Sequence, residues 1–293
     1  MFTPGHGVWE LGVPHHGVGC SAAQSIDPAL AAYLGAVLVP LSSDQSLCAL
    51  TSAAWRSLGI GFGLRLPRAA ALLELPPVSP LNEETRGFDL VSVPVELPLE
   101  PWTCELLRVL GAGCKTLSEV GSVVLLRCSR ALGPSREDPE ATAARVVERM
   151  LQLFAALAGE LVDMAALVPV VGLDLFAPPH PAGDAQNESA CAEHWVARLR
   201  EAVPPAVPAV LMAEGRSLTG GALAATRALN TASQCARQPW QLGFCYGRSL
   251  LDWDDPSGCP DTLLHRAKMN SAACSGNYSD ALERGEVSKI INK

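Results

Sequence analysis

The sequence predicts an α/β protein built on parallel strands, and three observations carry that reading. Short apolar runs rich in Val and Leu alternate with longer stretches whose apolar residues recur at three and four positions. At 293 residues and 48% hydrophobic, the chain can bury a full core. No internal repeat and no clean linker interrupts it, so residues 1–293 read as one domain.

Strands are expected at Gly17–Ala22, Gly35–Pro40, Ile60–Leu66, Ser122–Cys128, Leu167–Val171, Ala209–Met212 and Gln241–Tyr246, each a short apolar run. The clearest helix spans Pro139 to Leu161. Asp138 can cap it, Pro139 suits its first turn, and Val146, Met150, Leu153, Phe154 and Leu157 recur at helical spacing. A second helix covers Glu188 to Val203, with Trp195 and Leu199 four apart on one face, and a third covers Ser217 to Asn230. Residues 67–101 are rich in proline and read as an irregular excursion. The polar tail, 279–293, reads as flexible.

Composition excludes several classes of partner. The net charge is −8 and no Lys/Arg run occurs, which argues against nucleic acid and anionic membrane. The longest apolar stretch, Ala29 to Leu41, is too short to span a bilayer and is broken by Pro40. The N-terminus lacks a basic region followed by an apolar run, so no secretory signal is visible. Ten cysteines are scattered without a CxxC, as expected of reduced, mostly buried thiols in a cytoplasmic protein. The sequons at Asn187 and Asn277 would matter only in a secreted chain.

No cofactor motif survives inspection. His15 and His16 are adjacent, but His6, His180, His194 and His265 are not spaced to complete a metal site. Gly113-Cys-Lys-Thr116 lacks the glycine that a P-loop places directly before its lysine. Gly59-Ile-Gly-Phe-Gly63 suits strand packing better than a nucleotide turn.

The most specific signal lies between Val203 and Tyr278. The segments VPPAVPAVLMAEGRS, ALN, QPWQLGFCYGRSLL and RAKMNSAACSGNY follow one another in order and spacing. Together they closely resemble the last part of class I fructose-bisphosphate aldolases. Fainter matches precede them: Gly17–Ser25 resembles the family's first strand, Leu34–Val39 its second, Gly63–Arg68 its third, Gly121–Cys128 its fourth and Ala166–Asp174 its fifth. The resemblance implies a TIM-type (β/α)8 barrel, glycolytic lyase chemistry without metal or other cofactor, and a sugar phosphate as ligand. It also implies homo- or hetero-oligomers with aldolase-like chains. Since the residues yield seven strands, the sixth is expected to be lacking or replaced.

Class I aldolases activate a ketose as an imine on a barrel lysine, whose protonated form is the electron sink for carbon–carbon cleavage. The interval where the resemblance places that lysine contains none, and a rival alignment puts Ala177 on it. Only four lysines occur (Lys115, Lys268, Lys289 and Lys293), none at the end of an expected strand. The resemblance further sets Gln24 at the first strand's acid, Arg65 and Leu125 at the lysines of the third and fourth, and Gly172 and Asp174 at the glutamates of the fifth. Ala213 replaces the seventh-strand serine of the phosphate site, and Glu214 the glycine after it. Arg127, Gly215, Gly247 and Arg248 remain as implied phosphate-binding residues. Glu214 would repel a phosphate there unless paired with Arg248.

These losses favour a non-catalytic homologue acting through binding or assembly, so no catalytic residue is assigned. The alternatives are an active aldolase that cleaves fructose 1,6-bisphosphate to dihydroxyacetone phosphate and glyceraldehyde 3-phosphate, and a truncated or mis-spliced product.

Overall fold

The computed structural model describes residues 7–10, 28–40, 55–57, 60–66, 89–98, 100–130, 138–176, 185–214, 221–235, 238–250 and 260–285. Eight strands close into a parallel barrel in sequence order: β1 Gly7–Glu10, β2 Leu34–Pro40, β3 Gly61–Arg65, β4 Leu90–Leu97, β5 Val123–Arg130, β6 Leu167–Gly172, β7 Ala209–Ala213 and β8 Gln241–Tyr246. The seam is β1 against β8, with Val8 opposite Cys245 and Trp9 opposite Tyr246. Helices α1 Cys104–Glu119, α2 Pro139–Gly159, α3 Ala185–Ala202, α4 Gly221–Gln234 and α5 Pro260–Cys274 follow β4 to β8, and the short α6 Asp280–Glu283 comes last.

Six of the seven expected strands form where the sequence placed them, to within a few residues. The expected first strand, Gly17–Ala22, lies outside the described residues, and the barrel takes Gly7–Glu10 as its first strand instead. Part of the stretch read as irregular, Leu90–Leu97, is the regular strand β4, which corrects that expectation. Its Val91, Val93, Val95 and Leu97 alternate with Ser92, Pro94 and Glu96, a period-two pattern suited to a strand. Pro94 is tolerated because β3 pairs only as far as Ser92, so the missing N–H falls beyond that ladder.

Strand β6 pairs directly with β7, Val170 opposite Leu211 and Gly172 opposite Ala213. No strand therefore stands between them, where the resemblance puts the sixth. The count of eight is restored by β4, inserted between the strands that resemble the family's third and fourth. Closure matters because an open parallel sheet would leave a row of unpaired N–H and C=O groups at each edge.

The core has two layers. One, inside the barrel, contains Val8, Ala36, Leu38, Leu90, Leu125, Val168, Val170, Ala209, Leu211, Ala213 and Cys245. The other fills the space between barrel and helices, with Trp195 and Leu199 of α3 and the predicted α2 face of Val146, Met150, Leu153, Phe154 and Leu157. Burying each such large side chain is worth about 1.5–3 kcal/mol. As expected, Asp138 caps α2 by accepting the Glu140 N–H, and Pro139 occupies its first turn. Thr103 caps α1 through the Leu106 N–H. Trp195 Nε1 donates to the Gly172 carbonyl at 3.2 Å and ties α3 to the end of β6.

In the tail read as flexible, Asp280–Glu283 form the short helix α6, and residues beyond 285 lie outside the described ones. Arg266 and His265 of α5 both bond Glu283, His265 at 2.8 Å. Among the described residues no helix is long and apolar enough to cross a membrane.

Candidate functional site

Parallel barrels expose their strands' carboxyl ends on one face, where loops and strand-terminal side chains form sites. Here that mouth carries two charged clusters. Glu10, the last residue of β1, has a side chain only 8% exposed and accepts hydrogen bonds from Arg65 Nη1 at 2.5 Å and from Arg127 Nη1. Arg65 ends β3 and Arg127 lies on β5, so one carboxylate draws together two guanidiniums from separate strands. Their side chains are 27% and 30% exposed. Burial works against the Arg127 charge, but the neighbouring Cys245, Glu10 and Glu214 favour it. The balance holds its pKa above the ordinary arginine value.

The second cluster joins β7 to β8. Glu214 follows the last residue of β7, and its Oε1 accepts the backbone N–H groups of Gly247 at 2.8 Å and Ser249 at 2.6 Å. Those amides lie at the turn where β8 leads into a 3-10 helix, Arg248–Leu250. Gly247 is required by close approach: a Cβ there would sit 2.7 Å from the Glu10 carbonyl oxygen. The two clusters are thus in backbone contact. Cys245 lies buried between them, its thiol pushed up by burial first and then by the Glu10 charge, which makes it a poor nucleophile.

Beneath the charges the barrel interior is apolar. Leu125 is fully buried there, and Ala213 faces the same interior. Gly172 closes β6, buried, and Asp174 follows in a 3-10 turn, partly exposed. Lys115 lies on α1 and Lys268 on α5, both on the outer ring of helices. Gln24, Ala177, Gly215, Lys289 and Lys293 lie outside the described residues, as do His6, His15, His16 and His180; nothing is described of the Arg248 side chain.

The structure therefore gathers Arg65, Arg127 and Gly247 at one mouth, lined below by Leu125 and Ala213. It also revises the electrostatics expected of them. Arg127 is engaged by an internal carboxylate, and the Gly247 amide is taken by Glu214. Glu214 was expected to repel a phosphate unless paired with Arg248; it bonds the backbone amides on either side of that residue. Sequence reasoning missed Glu10 altogether. Its signal was a lone carboxylate after the apolar pair Val8-Trp9, too short a run to be taken for a strand. Among the described residues no group of three His, Cys, Asp or Glu could hold a metal. Of the seven described cysteines, Cys114, Cys128 and Cys245 are buried and Cys104 is exposed, so the expectation of mostly buried thiols holds only in part.

A closed parallel barrel of eight strands in sequence order, with helices following β4 to β8, is a TIM-type (β/α)8 fold. The chain belongs to the class-I fructose-bisphosphate aldolase family, whose profile matches residues 142–292. A cytoplasmic isozyme of fructose-bisphosphate aldolase from Cicer arietinum is 36% identical over 104 residues, covering 32% of this chain and 28% of that protein. Fructose-bisphosphate aldolase 1, chloroplastic, from Arabidopsis thaliana is 33% identical over 124 residues, covering 39% and 30%. The alignments thus span less than a third of the length of these relatives. Among solved structures, fructose-bisphosphate aldolase from Plasmodium falciparum, in complex with TRAP and a small-molecule inhibitor, superposes with a TM-score of 0.67 at 15% identity, covering 95% of this chain and 92% of that one. That likeness concerns the fold.

Proposed function

We propose that this chain is a non-catalytic member of the aldolase family, a barrel that keeps the frame and lacks the imine chemistry. The observation that carries the reading is the barrel interior: Leu125 and Ala213 line it, and the described lysines, Lys115 and Lys268, sit on outer helices. An imine needs a primary amine whose pKa is lowered by burial near the ketose carbonyl, and neither arginine at the mouth can supply one. Family membership and the absence of a Lys/Arg run support a cytoplasmic protein working through assembly, with aldolase-like chains as partners.

The second reading is an active aldolase that cleaves fructose 1,6-bisphosphate to dihydroxyacetone phosphate and glyceraldehyde 3-phosphate. It is favoured by the Glu10–Arg65–Arg127 cluster, which retains charge at the place where the family's chemistry occurs. A coupled cleavage assay with fructose 1,6-bisphosphate, run beside an active aldolase, separates the two. The non-catalytic reading expects no turnover above the enzyme-free rate. Turnover abolished by replacing one of the four lysines would establish the active reading instead.

A further inference from the structure

We propose that the barrel mouth is an anion site already occupied by the chain's own carboxylates, with Glu10 and Glu214 as internal ligands that keep phosphorylated molecules out. This goes beyond the loss of imine chemistry, because a barrel without the reacting lysine could still bind a phosphate.

Two donor sets of different kinds meet at the mouth. The guanidiniums of Arg65 and Arg127 converge on Glu10, and the backbone amides of Gly247 and Ser249 converge on one oxygen of Glu214. Paired guanidiniums and paired backbone amides are the groups with which proteins hold phosphate oxygens. Both sets here hold a carboxylate. Arg65 and Arg127 bring two positive charges, and Glu10 and Glu214 answer them with two negative ones.

Ser92 adds a separate sign that the mouth was shaped around more than hydrocarbon. It is 1% exposed and in register with Arg65 on one side and Leu125 on the other, so its hydroxyl faces the interior beside the guanidinium layer. That hydroxyl has no partner among the described residues. A buried donor normally finds an acceptor, and leaving one unmet is costly. Glu10 stands between Arg65 and Arg127 and leaves that hydroxyl unmet. A phosphate must displace a carboxylate bonded to two donors in a partly water-excluded setting, where such bonds are strongest.

The test is calorimetric titration of the full chain with inorganic pyrophosphate, comparing the unsubstituted protein with Glu214→Ala, Glu10→Gln and Asp280→Asn. Asp280 pairs with Arg227 on the outer surface, so its substitution changes net charge equally without touching the mouth. Removing either internal carboxylate is expected to tighten pyrophosphate binding by about tenfold or more, with Asp280→Asn unchanged. If Glu10→Gln does not melt cooperatively, Glu214→Ala decides alone, since it leaves the Glu10 carboxylate and both of its guanidinium partners in place. Equal affinity in the unsubstituted protein and Glu214→Ala would overturn the proposal, as would an equal gain in Asp280→Asn. None of these outcomes depends on a lysine, so failure here is distinct from failure of the non-catalytic reading.

Discussion

Strands β6 to β8 lie within the stretch matched by the aldolase family profile, whereas β1 to β5 lie before it, yet both groups close one barrel. At the mouth the two groups contribute different chemistry. The C-terminal group supplies small or apolar positions, Gly172, Ala213 and Cys245, together with the Glu214 carboxylate and the backbone amides of Gly247 and Ser249 that hold it. The N-terminal group supplies the charged side chains Glu10, Arg65 and Arg127. A barrel frame depends on packing and register, which many sequences satisfy. A reaction depends on particular side chains at strand ends, so the frame can persist where the reaction does not.

If the two groups form one cooperative unit, damage to either must unfold both. The largest effect is expected from Trp195→Ala, which empties a fully buried site on α3 and removes the bond to Gly172. It should cost about 3–5 kcal/mol. Chemical denaturation should show one transition, with hydrogen exchange in β2 and β3 accelerating alongside β6 and β7. Two separate transitions would mean that the groups are independent.

The seam between them is tested by Gly7→Ala. A Cβ at Gly7 would sit 1.9 Å from the Phe244 ring of β8, so the strand cannot dock without displacing that ring. A loss of about 1–3 kcal/mol is expected in the denaturation midpoint. No loss would indicate that β1 contributes little to closure. Trp195→Phe keeps most of the volume and deletes only the donor to Gly172, for an expected loss of about 1 kcal/mol, read the same way.

The smallest effect concerns the clasp between α5 and α6. Burial opposes the Glu283 charge, but hydrogen bonds from Arg266 and His265 prevail and hold its carboxyl down at about 2. A carboxyl depressed in the folded state contributes stability at neutral pH that is lost as pH falls. The loss should begin near the ordinary carboxylate value of about 4.3 and continue toward pH 2. Thermal melts across that window should fall less steeply for Glu283→Gln; an identical slope would remove Glu283 from the acid response. Solvent at the clasp keeps the effect modest.

Much of this fold was legible in the chain because the relevant signals are local. Asp138 and Pro139 announce α2, and the apolar runs at Leu34–Pro40, Leu167–Gly172 and Gln241–Tyr246 announce strands. Strand β4 was hidden by its proline-rich surroundings, although the alternation from Val91 to Leu97 was present. Strand β1 was hidden by brevity: four residues carry almost no periodic signal, and its place is fixed by pairing with β2 and β8. The site was partly legible. Arg65, Arg127 and Gly247 were found through resemblance, but their partners were not, because Glu10 lies 55 and 117 positions away from the arginines it holds. Such pairs are set by barrel closure, which no short window of sequence reports.

The central claim, that this barrel lacks imine chemistry, is tested most directly by borohydride trapping with dihydroxyacetone phosphate, read as intact mass beside an active aldolase. The account predicts no mass increase in this chain while the control traps normally. A stable adduct abolished by substituting a single lysine would contradict it and identify the amine that performs the chemistry.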